Sequence, residues 1–257
     1  MEIGVVSLGC PKNLVDSEVM MGLIKERQWT ITNDPTHADV IIVNTCGFIE
    51  SAKTEAIENI LEACSYKQQN PDLKVIVTGC LAERYRSQIE EEIPEVDAVV
   101  GCASNKAIDT IVARLFHGED HLESYGAKKD FPLGGKRVIG TPAHYAYLKI
   151  AEGCNNRCHY CAIPAIRGRY RSRTLDAIVQ EAKDLADLGM KELIVIAQDI
   201  TRWGMDLYGR PSLALLLREL AKIDGIRWIR LHYLYPEIMD DELIDLIANE
   251  DKIVKYL

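Results

Sequence analysis

Apolar positions in the first 117 residues alternate between two rhythms. Short β-branched runs occur at 3–8, 40–43, 75–77 and 98–100, each too short for a helix. Between them, apolar residues recur at helical spacing. Val15, Val19 and Leu23 form one such stripe; Ile57, Ile60, Leu61 and Cys64 form a second; Ile108, Ile111, Val112 and Leu115 form a third. Alternating strand and helix predicts a parallel α/β sheet with helices on both faces, over residues 1–117. The rhythm breaks over 118–142, where Gly118, Gly134 and Gly135 sit among polar residues, and this stretch reads as a linker. It resumes with strands at 145–150, 193–197 and 226–231 and helices at 176–188, 212–223 and 241–248. A further strand begins at 253–257. Residues 143–257 therefore read as the first part of a (βα) barrel, with its fourth strand just begun.

Length and composition narrow this little. At about 100–200 residues per domain, 257 residues allow one large domain or two ordinary ones. Hydrophobic residues at 47% and charged residues at 27% are ordinary for a globular chain, which excludes disorder or a coiled coil as the main architecture. No purely apolar run exceeds five residues, against the ~20 needed to cross a bilayer. The N-terminus lacks the basic segment of a signal peptide. The expectation is a cytoplasmic protein with no membrane contact. A net charge of −9 argues against broad non-specific nucleic-acid binding but leaves room for a local basic site.

Eight cysteines change the picture: Cys10, Cys46, Cys64, Cys80, Cys102, Cys154, Cys158 and Cys161. In a reducing compartment they point to metal or redox chemistry rather than disulfides. Cys154, Cys158 and Cys161 follow the first barrel strand at CxxxCxxC spacing. An iron–sulfur cubane normally takes four thiolates, so three would leave one iron open. A zinc site completed by His159 is the alternative, with poorer geometry on so tight a loop. Cys10, Cys46 and Cys80 each follow a predicted parallel strand, where open α/β sheets place their ligands. They read either as a second three-thiolate cluster or as ordinary buried cysteines. Cys64 lies on a helix stripe and reads as a small buried hydrophobe. Cys102 follows the fourth strand and could compete as a ligand, but is left out of the set on packing grounds.

The CxxxCxxC segment, with Tyr160 before its last cysteine, resembles the signature of the radical S-adenosylmethionine (SAM) superfamily. The resemblance implies a [4Fe-4S] cluster on Cys154, Cys158 and Cys161, SAM on its open iron, and Tyr160 near the adenine. Three N-terminal motifs, Leu8-Gly9-Cys10-Pro11-Lys12-Asn13, Asn44-Thr45-Cys46-Gly47 and Thr78-Gly79-Cys80-Leu81, look like the N-terminal domain of methylthiotransferases. That implies a second [4Fe-4S] cluster, on Cys10, Cys46 and Cys80. In such enzymes a sulfide on the N-terminal cluster is methylated by one SAM. A second SAM is then cleaved reductively, and the resulting radical takes a hydrogen atom from the carbon that receives the methylthio group.

Gly9-Cys10-Pro11-Lys12-Asn13 and Leu148-Lys149-Ile150-Ala151-Glu152-Gly153-Cys154 resemble the branch acting on the β-carbon of an aspartate in ribosomal protein S12. Ala197-Gln198-Asp199-Ile200-Thr201 and Arg230-Leu231-His232-Tyr233 do so too. A transfer-RNA methylthiotransferase and an inactive iron–sulfur fragment are the alternatives. The resemblance implies S12 or the small ribosomal subunit and an electron donor as partners. Family members continue through the rest of the barrel into a small β-barrel domain. The expectation is therefore a C-terminally truncated member, with nucleic-acid contact through that further domain. Gln198 and Asp199 follow the second barrel strand, and His232 and Tyr233 the third, which makes them candidates for the catalytic face. Gln198 is taken as cofactor-binding. Arg167, Arg169, Arg171 and Arg173 read either as binding the SAM carboxylate or a polymeric substrate, or as a solvated basic edge.

Overall fold

The β-branched runs are strands, and all of them in the first part of the chain lie parallel. The computed structural model describes residues 1–256. Its chain divides into two compact units, Met1–Val138 with Cys158–Arg167, and Ile139–Arg157 with Gly168–Leu257.

The first unit is built on β1 (Glu2–Ser7), β2 (Thr30–Thr32), β3 (Val40–Thr45), β4 (Lys74–Gly79), β5 (Ala98–Val100) and β6 (Leu122–Ser124). They form one sheet in the order β2-β1-β3-β4-β5-β6. Every pairing in it is parallel. The helices are α1 (Pro11–Glu26), α2 (Glu50–Ser65), α3 (Cys80–Arg84), α4 (Arg86–Glu92), α5 (Ile108–Phe116) and α6 (Ile163–Arg167). The pleat sends alternate residues to opposite faces. Ile41 and Val43 pack with Ala56 and Ile60 of α2 on one face, while Val40 and Ile42 pack with Met20 and Ile24 of α1 and Ile111 of α5 on the other. That is why β3 carries no polar alternation and is buried throughout.

Two features of this unit depart from the sequence reading. The stretch 118–142, expected as a linker, supplies the edge strand β6, and the compact unit runs on to Val138. β6 is only three residues long, too short for periodicity to register. On α2 the stripe is rotated. Ala56, Ile60, Ala63 and Cys64 face the core, while Ile57 and Leu61 are 42% and 50% exposed.

The second unit carries β7 (Tyr145–Lys149), β8 (Ala151–Glu152), β9 (Arg171–Ser172), α7 (Leu175–Asp187), β10 (Glu192–Ile196), α8 (Met205–Tyr208), α9 (Leu213–Ala221), β11 (Trp228–Leu231) and α10 (Asp241–Asn249). β7, β10 and β11 make a parallel sheet with β10 in the centre. Leu148, Leu193, Val195, Ile229 and Leu231 pack under α7, α9 and α10. This is the βα alternation of a partial barrel. Of the strand expected at 253–257, Ile253 forms a single parallel bridge to Ile229, and Leu257 lies outside the described residues. Among the described residues no helix is long and apolar enough to cross a membrane.

Candidate functional site

Three of the strands in the first sheet are neighbours and end at the same side. Because β1, β3 and β4 are adjacent and parallel, the residues just past their C-terminal ends are brought together. Those residues are Cys10, Cys46 and Cys80. Cys10 caps α1, with Pro11 at the first helical position. Cys46 follows Thr45, and Cys80 opens α3. A Cβ added to Gly9 would lie 2.6 Å from the Cys46 Cβ and 3.1 Å from its Sγ, so the chain beside Cys10 runs directly against Cys46. Gly79 has φ +96°, and a Cβ there would lie 2.3 Å from the Thr45 carbonyl oxygen. Only glycine allows these strand ends to approach so closely.

One side chain ties the three ends. Asn13 Nδ2 donates to the carbonyls of Leu8 at 3.1 Å and Thr45 at 2.9 Å, joining the ends of β1 and β3. Asn44 donates back to the Asn13 carbonyl and to the Ser17 hydroxyl. Asn13 Oδ1 accepts from Arg167 Nη2 at 2.6 Å, and the Cys80 thiol points at the same oxygen from 3.9 Å. The sequence motif includes Asn13, yet its spacing alone assigns it no role. Its role comes from contacts across 32 residues of chain.

Arg167 is 3% exposed. The reading of it as solvated edge or SAM ligand is replaced by a buried place in the first unit. Its Nη1 pairs with Asp16 at 2.7 Å, and its Nη2 lies 3.5 Å from Cys80 Sγ. Phe131, from the stretch expected as a linker, stacks 5.6 Å from the guanidinium and packs with Cys102 and Cys80. Cys102 is buried and packs beside Cys80. Its contact with Cys80 and the Arg167 charge hold the Cys80 thiol below its ordinary range, against burial. The same contact and burial push Cys102 well above its own, against the Arg167 charge. Burial raises the Cys46 thiol, and the neighbouring Cys80 and Cys10 raise it further. The three thiols therefore share one electrostatic environment.

The unit boundaries cut the CxxxCxxC segment: Cys154 belongs to the second unit, Cys158 and Cys161 to the first. Cys154 is buried and its sulfur accepts from the Asn156 N–H at 3.4 Å. Cys161 N–H donates to the Cys158 carbonyl at 3.0 Å, a tight turn. His159 is exposed and so is Tyr160, at 82%. Among the described residues no three His, Cys, Asp or Glu side chains converge on a single ion. At Cys10, Cys46 and Cys80 the donors brought to adjacent strand ends are three thiols, the donor chemistry that an iron–sulfur cluster takes.

At the C-terminal end of β7 and β10 lies a buried polar group. Glu152 is wholly buried and pairs with Lys149 at 3.1 Å. It also accepts from Gln198 Nε2 at 2.6 Å and from the Gly153 N–H at 3.0 Å. Gln198 is 8% exposed, and its Oε1 is buried with no hydrogen-bond partner among the described residues. A buried orphan acceptor is rare and marks a place for a donor from a ligand or water. Asp199, also a candidate, is committed to structure. It accepts from Asn156 Nδ2, the Thr201 N–H and Arg202 Nε, and so anchors the Cys154 loop. Arg173 donates to the Lys149 and Ala177 carbonyls and pairs with Glu181. Arg169 is exposed. Tyr233 adopts φ +67°, and its carbonyl accepts from the Ile200 N–H, which positions the loop after β10. His232 stacks edge-on against Tyr233.

Two family models match the chain: the uncharacterized protein family UPF0004 over residues 2–116 and the radical SAM superfamily over 148–256. Curated proteins called ribosomal protein uS12 methylthiotransferase RimO match its whole length. The one from Acetivibrio thermocellus is 52% identical over 100% of this chain, and that from Caldicellulosiruptor saccharolyticus 49% over 99%. The protein from Clostridioides difficile is 50% identical over 100%. In each case the chain spans 58% of the relative's own length. Among solved structures, the radical SAM methyltransferase TsrM from Kitasatospora setae matches with a TM-score of 0.69 at 14% identity, covering 98% of this chain and 58% of that one. The cobalamin-dependent radical SAM enzyme OxsB matches at 0.56 and 11%, over 90% of this chain and 38% of that one. These two likenesses concern the fold. The chain thus joins a segment like the UPF0004 family to one like the radical SAM superfamily, and over its whole length it is similar to the first part of these methylthiotransferases.

Proposed function

We propose that the chain forms the catalytic part of a methylthiotransferase that adds a methylthio group to the β-carbon of an aspartate in ribosomal protein S12. The observation that carries this is the meeting of Cys10, Cys46 and Cys80 at three adjacent strand ends, in a chain about half identical to proteins of that name. When bound, two [4Fe-4S] clusters and SAM supply the sulfur and radical chemistry. The residues do the positioning. Cys10, Cys46 and Cys80 hold the first cluster, with Asn13 fixing two of the loops that present them. Cys154, Cys158 and Cys161 hold the second, with Asn156 and Asp199 bracing the loop. Gln198 Oε1 offers SAM a buried acceptor, and Tyr160 offers its adenine an aromatic face. S12 and an electron donor are the partners, the compartment is the cytoplasm, and nucleic-acid contact belongs to segments that the longer relatives contain.

The test separates the two cysteine sets. After anaerobic reconstitution the chain should hold about eight irons, four per cubane. Replacing Cys154, Cys158 and Cys161 by Ala should remove about half the iron and all SAM-derived 5′-deoxyadenosine. Replacing Cys10, Cys46 and Cys80 should leave 5′-deoxyadenosine detectable and abolish methylthio transfer, read by mass spectrometry of S12. Persisting SAM cleavage in the first variant, or full transfer in the second, overturns the assignment. Modification of transfer RNA in place of S12 would move the chain to the other branch.

A further inference from the structure

We propose that Arg167 is the positioning residue of the N-terminal cluster, a guanidinium built into the Cys80 corner as hydrogen-bond donor and counter-charge. The inference rests on the two-cluster reading above. The CxxxCxxC motif ends at Cys161, and Arg167 lies beyond it, at the end of α6. Sequence order would give it to the barrel site. The structure gives it to the sheet: it is 3% exposed among Asn13, Asp16, Cys80 and Phe131, all of the first unit.

A buried guanidinium needs both a counter-charge and acceptors for its donors. Asp16 supplies the charge at 2.7 Å, and Asn13 Oδ1 accepts at 2.6 Å. An ion pair would be complete with Asp16 alone. Yet Nη2 is also aimed at the Cys80 sulfur at 3.5 Å, within the range of an N–H···S bond. An iron–sulfur cluster's potential responds to net charge and to hydrogen bonds on its sulfurs. Reduction adds one negative charge to an already anionic assembly. A donor and positive charge fixed at one ligand sulfur stabilise the reduced form and raise the potential.

The same side chain fastens the segment Cys158–Arg167 to the Cys80 corner within the first unit. Phe131 and the Lys128 ammonium, which donates to the Ala165 carbonyl, hold the other side of that segment. The arginine is therefore set in place from both sides rather than left mobile.

The experiment uses the full chain with Cys154, Cys158 and Cys161 replaced by Ala and reconstituted anaerobically, so that it carries the N-terminal cluster alone. Its midpoint potential is read by a titration monitored by electron paramagnetic resonance. Arg167→Gln should shift the potential downward and change the signal of the reduced cluster. Asp16→Asn, which removes the carboxylate charge beside the guanidinium, should shift it upward. Arg167→Lys keeps the charge but loses the planar fork, so its potential should fall between the parent and Arg167→Gln. Arg167→Lys also covers the case in which Arg167→Gln does not fold. An intact cluster whose potential and signal in Arg167→Lys match the parent overturns the inference, whereas a parent that binds no cluster overturns the two-cluster reading as well.

Discussion

The two cysteine sets are assembled by opposite means. Cys10, Cys46 and Cys80 come from distant parts of the chain, and parallel strands bring them together. Their geometry is only as good as the register of β1, β3 and β4. Cys154, Cys158 and Cys161 lie within eight residues of one loop, braced by hydrogen bonds that Asn156 donates to Cys154 and Asp199 and that Cys161 donates to the Cys158 carbonyl. A set built from long-range contacts survives only while the whole sheet is folded. A set built from a local loop can keep its spacing while its surroundings open. The first should therefore lose its iron-binding geometry cooperatively, and the second gradually.

The sheets beneath the two sets differ in the same sense, and hydrogen exchange should show the largest contrast. β3 is buried along its whole length and is bonded on both sides, by β1 and β4. β11 is bonded to β10 on one side, while on the other Ile229 has two backbone hydrogen bonds to the residues after α10. Residues 40–43 should exchange only through global unfolding of the first unit. Residues 229–231 should exchange through local opening, faster by orders of magnitude. Equal protection of both would mean that the two sheets open together, and the contrast would be lost.

How much of this could be read beforehand follows from how each feature is encoded. The six cysteines and the βα alternation stand in the sequence because strand-end placement and hydrophobic period are local signals. Asn13 and Arg167 do not. An asparagine near a helix start and an arginine in a basic run have no signature of their partners. Their roles come from contacts between residues 32 and 154 positions apart. The strand at Leu122–Ser124 escaped because three residues carry no period, and Phe131 because an isolated aromatic in a polar stretch has none either. Asp199 looked catalytic by position, and its three donors make it a brace.

Each region also buries an ion pair, and the pairs should differ in cost. Arg137 and Glu18 in the first unit lie 2.8 Å apart with side chains 4% and 2% exposed. Arg137→Met removes the buried guanidinium that faces the Glu18 carboxylate and should cost about 3–5 kcal/mol, read as a lowered urea midpoint. In the second unit Lys149→Met leaves Glu152 with the Gln198 and Gly153 donors. Its cost should be smaller, about 1–3 kcal/mol. If Lys149→Met proves the costlier of the two, the buried group at the end of β7 depends on its ammonium more than on its hydrogen bonds.

The smallest effects should come from apolar residues that a helical stripe misplaces, and they should be equally small in both regions. Ile60 of α2 is fully buried against Val43 and Val75, whereas Leu61, the next residue, is 50% exposed. Ile60→Ala opens a cavity in a packed layer and should cost about 2–5 kcal/mol. Leu61→Ser removes a side chain already half in water and should change stability by less than about 0.5 kcal/mol. Leu215 of α9 is the counterpart in the second unit, 42% exposed beside buried Leu216 and Leu217. Leu215→Ser should be as mild, because that side chain too is already nearly half in water. Chemical denaturation of the three variants reads all of this at once. A loss above about 1 kcal/mol for Leu61→Ser would mean that this face of α2 is covered in solution, since exposure alone cannot produce it.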